Sequence, residues 1–270
     1  MMRMFCCAAV LLLLVGCAQP PEREPAAAPI VVENIYLDAP AVTSAPKALP
    51  LPVPLPSDTP EPDPFADCAR VFQAENADFF YVELTEEIKT RITGMSYPKN
   101  DKAAPVKYGD LRYLHILYVN FEGELCKGEL MVHAGLADEV MDIFYQLYTH
   151  AYPLASVRLV DDFGEPGDDN LSMEANNSSA FNYRQVSGSK KLSLHSYGMA
   201  IDINPVQNPY LNGSRVAPPN AVDYVDRSLR LPGMIDYDDL CYKLFTSYGW
   251  AWGGDFAKDK DYQHFSKDIK

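Results

Sequence analysis

Residues 193–205 read SLHSYGMAIDINP and set a physical problem. One acid, Asp202, stands between Ile201 and Ile203 in an apolar run. A carboxylate in such surroundings is costly unless a partner neutralises it. Read as a strand over 199–204, the side chains alternate faces. Ile201 and Ile203 then share one face, while Ala200, Asp202 and Asn204 share the other. Asp202 looks into a cleft and its neighbours hold the core. His195 stands seven positions before it, and Gly198 lets the backbone turn between the two.

The surrounding chain supplies the scaffold. Residues 85–92 have helical character, with Gly94 placed to end the helix. Residues 111–121 are rich in aromatic and β-branched side chains and predict a strand. A turn at Glu122-Gly123 leads to a return strand over 128–133. Leu136, Val140, Ile143, Phe144, Leu147 and Tyr148 recur at helical spacing, which predicts an amphipathic helix over 136–148. A short strand over 156–160 follows. Residues 161–179, rich in Asp, Asn, Gly and Ser, read as a long loop. A helix over 237–248, in which Cys241 is buried, and a closing strand over 262–266 complete the pattern. Strands and helices do not alternate strictly, so the expected fold is α+β, a small mostly antiparallel sheet with flanking helices. No repeat is visible.

The whole chain has 270 residues, with 23 Lys and Arg against 37 Asp and Glu, a formal charge of −14. That balance speaks against a nucleic-acid partner, whose phosphates it would repel. Residues 1–16 carry Arg3 and then an apolar core too short to span a bilayer, closed by Leu14-Val15-Gly16-Cys17. This resembles a bacterial lipoprotein signal, which implies lipidation of Cys17 and a membrane attachment through that lipid. Ala18 after the cysteine favours the outer membrane and periplasm of the cell envelope. Residues 17–64 are dominated by Pro and Ala and form an extended tether. The folded domain is expected over 65–270. Of six cysteines, Cys68, Cys126 and Cys241 remain in that domain, with Cys68–Cys126 the favoured pair in an oxidising compartment.

The chemistry gathers at the end of the chain. His264 lies on the last strand and Asp261 stands three residues earlier, where that strand begins. Two histidines and one aspartate, His195, Asp202 and His264, form a set that suits one Zn2+ and leaves a fourth position for water. Asp261 has the chemistry of the general base for that water. Arg184 is a candidate for stabilising a developing oxyanion. From the residues alone, simpler readings stay open: Asp202 as a turn cap, Asp261 as a solvated charge, Arg184 as an ordinary ion pair. His115, His133 and His150 are read as non-ligands. Trp250 is assigned to packing, and Trp252 either to packing or to the wall of a substrate cleft. The sequons at Asn176, Asn177 and Asn212 carry no weight beside a bacterial-type signal.

Two blocks carry a family resemblance: FNYRQVSGSKKLSLHSYGMAIDINPVQNPY at 181–210 and GWAWGGDFAKDKDYQHF at 249–265. They resemble the zinc D-alanyl-D-alanine carboxypeptidase and L-alanyl-D-glutamate endopeptidase family, which includes phage endolysin peptidases and the vancomycin-resistance dipeptidases. The family pattern falls on Ser193, His195, Gly198, Asp202, Asp261 and His264. The resemblance implies zinc on His195, Asp202 and His264, with Asp261 as base and Arg184 as the upstream family arginine. It implies peptidoglycan stem peptides as substrate and a Hedgehog/DD-peptidase-like fold; Ser193 and Trp252 are the candidate substrate-binding residues. The bond cut stays open among D-Ala-D-Ala, L-Ala-D-Glu and cross-bridge linkages. The alternative is a non-catalytic zinc-binding module of the same fold, which a missing base would favour. A cysteine peptidase using Cys126 or Cys241 lacks any recognisable nucleophile context.

Overall fold

The computed structural model describes residues 72–73, 78–164 and 166–269. The expected signal segment 1–16, Cys17, the tether 17–64 and Cys68 lie outside the described residues. Among the described residues, no helix is long and apolar enough to cross a membrane.

The first half is built on the aromatic, β-branched run. It comprises β1 (Phe72–Gln73), β2 (Phe80–Glu83), α1 (Glu86–Ile92), β3 (Leu111–Val119), β4 (Leu125–His133) and α2 (Ala137–Thr149). The strands form an antiparallel sheet in the order β1-β2-β3-β4. The β3 strand stops at Val119, short of the expected 121, because Asn120 begins the turn. Its Oδ1 accepts from the amides of Glu122 (3.1 Å) and Glu124 (2.8 Å), and Gly123 adopts φ of +80°. Thr85 caps α1, its Oγ1 accepting from the Ile88 amide at 3.3 Å.

This sheet is buried on both faces. Leu114, Ile116, Leu130 and Val132 pack with Val140, Ile143, Phe144 and Leu147 of α2. Leu111, Tyr113 and Met131 pack with Ile88 and Ile92 of α1. Each fully buried Val, Leu, Ile or Phe contributes about 1.5–3 kcal/mol. Packing, rather than the intrinsic propensity of helices this short, therefore holds the layers together.

The second half comprises β5 (Ser156–Val157), α3 (Asp169–Glu174), β6 (Asn177–Ser178), β7 (Ala200–Asp202), β8 (Tyr210–Asn212), β9 (Arg215–Ala217), α4 (Leu240–Ser247), β10 (Ala251–Trp252), β11 (Lys260–Asp261) and β12 (His264–Ser266). The fold is α+β with small antiparallel sheets, β10-β12-β7 and β11-β8-β9, together with one parallel pair, β5-β6. The site depends on the register of β12. Phe265 pairs with Ile201 on one side and Trp252 on the other, and all three enter the large core. One step along, His264 is paired with Asp202, and alternation turns both to the opposite face.

Several expected elements are corrected. Residues 161–179 are not one long loop, since they contain α3 and β6. Asp168 caps α3, accepting from the amides of Asn170 and Leu171. Asn177 is fully buried: its Oδ1 accepts from the Arg158 amide and Ser156 hydroxyl, and its Nδ2 donates to the Arg158 carbonyl and Ser172 Oγ. Polar side chains here do the work of backbone, so composition misleads. The strand expected over 262–266 begins at His264, and Asp261 belongs to a different sheet, paired with Tyr210. The α4 helix starts at Leu240 because Asp239 caps it. Cys126 and Cys241 are free thiols, the latter buried on α4 as expected; Cys68, the favoured partner of Cys126, is outside the described residues.

Candidate metal centre and cleft

His195 is delivered by a single 3-10 turn, Leu194–Tyr197. Ser193 caps it, its Oγ accepting from the His195 amide at 3.3 Å. Gly198 closes it at φ +68°, and a Cβ there would lie 2.5 Å from the His133 backbone nitrogen. Both the dihedral and the backbone approach require glycine. The His195 ring is fixed as well: Nδ1 lies 2.5 Å from the Ala180 carbonyl oxygen, an acceptor, so the proton belongs on Nδ1. The Nε2 lone pair then faces the cleft.

Two groups converge on that lone pair. His195 Nε2 is 3.3 Å from Asp202 Oδ2 and 3.2 Å from His264 Nδ1, and His264 Nδ1 is 3.0 Å from Asp202 Oδ1. Their ligand atoms all lie within 4.8 Å of one another. Ligands about 2.0–2.2 Å from a tetrahedral zinc stand roughly 3.3–3.5 Å apart, so these three need shift only slightly to share one ion. Asp202 is only 3% exposed. Burial alone would raise its carboxyl, but charge interaction and hydrogen bonding with His195 and His264 hold it well below the usual range. Burial would likewise lower His264, yet the Asp202 hydrogen bond and charge raise it. The donor set and its spacing fit a divalent cation, and the answer to the buried acid lies in these partners.

Asp261 and Arg184 stand in the same cleft, of about 580 Å³, with His195 and His264. Burial, reinforced by the Asp202 charge, pushes the Asp261 carboxyl up to about 6, while His264 and a Gln263 hydrogen bond oppose the shift. Gly253 must be glycine for Asp261 to sit there, since a Cβ would lie 2.4 Å from the Asp261 carbonyl oxygen. Arg184 is clamped through its backbone: its amide donates to Ser196 Oγ, and its carbonyl accepts from Ser196 Oγ and the Ser193 amide. Its Nη2 lies 4.0 Å from Asp202 Oδ2 and its Nε 3.1 Å from Asp169 Oδ2. The latter is an ion pair without an aligned hydrogen bond, as Nε has no aligned acceptor.

Other expected residues lie differently. Ser193 lines the cleft but is nearly buried, its hydroxyl occupied in capping the His195 turn. Trp252 is not at the cleft. It is 3% exposed, its ring packs edge-on against Tyr237 and Tyr242, and its Nε1 donates to the Tyr262 carbonyl. Trp250 packs against Phe245 and donates to Glu139. His115, His133 and His150 hydrogen-bond locally, to the Asp78 carbonyl, the Gly135 amide and the Gln146 carbonyl. Among the cleft residues that sequence reasoning missed are Asp169, Gln263 and Phe256. Phe256 is 42% exposed with its ring 6.2 Å from that of His264. Only Gln263, between Asp261 and His264, carried a positional hint.

Residues 187–267 match the family model described as D-alanyl-D-alanine carboxypeptidase. The matched span holds His195, Asp202, Asp261 and His264, with Arg184 just before it, and supports the peptidase family that the sequence blocks resemble. No curated protein and no solved structure matches the chain.

Proposed function

We propose that the chain is a zinc metallopeptidase that hydrolyses peptide bonds in peptidoglycan stem peptides. One observation carries this reading: the ligand atoms of His195, Asp202 and His264 come together where His195 and His264 line a cleft that also holds the Asp261 carboxyl. His195 Nε2, an Asp202 oxygen and His264 Nδ1 would hold the ion. When bound, the ion supplies Lewis acidity toward a carbonyl oxygen and lowers the pKa of water to about 7. Asp261 accepts the proton of the attacking water and returns it to the leaving amine. A carboxylate at this place can take a proton from water and give it up again. The Arg184 guanidinium donates to the carbonyl oxygen as charge develops there. Phe256, rather than Trp252, offers apolar surface beside the ligands.

The Hedgehog/DD-peptidase-like fold, the division into signal, tether and a domain over 65–270, and attachment through lipid on Cys17 belong to the same proposal. A lipid anchor with a Pro/Ala tether would keep the cleft beside the cell wall, in the periplasm or at the outer membrane.

Asp261→Asn separates this reading from a non-catalytic zinc-binding module. The amide keeps size and hydrogen-bonding reach but takes no proton. Zinc content and melting temperature are expected to persist while stem-peptide hydrolysis falls by at least about a hundredfold. Undiminished hydrolysis would remove Asp261 from the mechanism.

A further inference from the structure

Arg184 stands between two carboxylates, with its Nε 3.1 Å from Asp169 Oδ2 and its Nη2 4.0 Å from Asp202 Oδ2. The nearer one lies on a fixed element. Asp169 opens α3, directly after the cap Asp168. Its Oδ1 faces the Asn182 amide at 3.4 Å, which leaves Oδ2 toward Arg184. Asn182 is itself buried, and its backbone N–H donates to the His195 carbonyl at 3.2 Å. Asp169 is thus tied through one residue to the turn that delivers a ligand.

The two carboxylates take different nitrogens of one guanidinium, Asp169 at Nε and Asp202 at Nη2. Asp202 already accepts from both histidines, and its oxygens are what a cation needs. A guanidinium that closed the 4.0 Å gap would occupy one of those oxygens and set a positive charge beside the ion. Attraction falls with distance, so the carboxylate at 3.1 Å wins while it is present. Without it, Asp202 is the remaining carboxylate within ion-pair distance of Arg184 among the described residues.

We propose that Asp169 is a positioning residue that holds the Arg184 guanidinium off Asp202, keeping Asp202 free for the metal and Arg184 free for substrate. This rests on the metal-centre reading above, but its test does not depend on turnover.

Zinc affinity is measured by competition with a chelating dye on the full chain, for wild type, Asp169→Asn, Arg184→Ala and the double variant. Asp169→Asn keeps the size of the side chain and is expected to weaken zinc binding by about 10- to 100-fold, the range for loss of a residue that supports a ligand. In the Arg184→Ala background the same change should cost nothing, because no guanidinium is left to fall onto Asp202. A purely structural role for Asp169 would cost the same in both backgrounds, and that result overturns the proposal. Unchanged affinity in Asp169→Asn overturns it equally. Asp169→Glu, which restores the charge, should recover most of the affinity; if Asp169→Asn does not fold, an Asp169→Glu variant that folds yet binds zinc as weakly as a ligand variant counts against the proposal. If wild type binds no zinc, the metal-centre reading itself fails and this inference falls with it.

Discussion

His264 Nδ1 and Asp202 Oδ1 face each other at 3.0 Å across paired strands, each displaced from its ordinary titration in the direction that favours a charged pair. Asp202 is held low, so its contribution to stability is complete above the unfolded value of about 3.9 and is lost as pH falls. His264 is raised, so its contribution is complete below about 6.5 and is lost as pH rises through its folded value. The contribution of this pair to the metal-free protein should therefore be greatest between about pH 4 and 6.5, read as the difference in thermal melts in chelator between wild type and Asp202→Asn.

The same pair sets the pH dependence of metal binding. A cation must displace the proton that the two groups share, so zinc affinity should climb from pH 6 to pH 8, by up to about tenfold per unit for each proton released. Calorimetric titrations at the two values check this. A pH-independent affinity would mean that His264 is not a ligand.

Gly198 tests how His195 is placed. Gly198→Ala forces a side chain to φ +68° and drives its Cβ to 2.5 Å from the His133 backbone nitrogen, an atom that cannot swing aside. A cost of about 1–3 kcal/mol is expected from the strain alone. Zinc affinity should fall as well, although no ligand is changed. Denaturant melts and zinc titration of the variant measure both effects.

The cluster of His195, Asp202 and His264 was legible because chemistry and periodicity point the same way there. An acid between two isoleucines, a histidine before a glycine, and an Asp and a His three positions apart at the last strand each restrict what the fold can do. The polar stretch over 161–179 was not legible. Its Asn177 and Asp168 read as loop residues, yet they replace backbone partners inside the structure and cap a helix. Asp169 could not be singled out among neighbouring acids, because its meaning comes from a 3.1 Å approach to Arg184. Trp252, left open between packing and a cleft wall, belongs to the packing. An aromatic beside two glycines suits a cleft wall, but Gly254 is small so that the indole can lie against it: a Cβ there would be 2.5 Å from the ring.

Trp252→Ala should accordingly act on stability rather than on recognition. Loss of a buried indole costs about 3–5 kcal/mol. The folded fraction should keep the KM of wild type, whereas Phe256→Ala, at the cleft, should raise KM with little change in melting temperature. Steady-state kinetics and thermal melts of the two variants distinguish the roles; a raised KM confined to Trp252→Ala would return that residue to the cleft.

The most direct test of the central claim is digestion of purified muropeptides by zinc-loaded protein, with the products identified by mass. Cleavage at one peptide bond of the stem, abolished by chelation, restored by added zinc and absent in His195→Ala, is the expected result. Muropeptides left intact across stem and cross-bridge types, by protein carrying one zinc per chain, would contradict it and leave a metal-binding module in place of an enzyme.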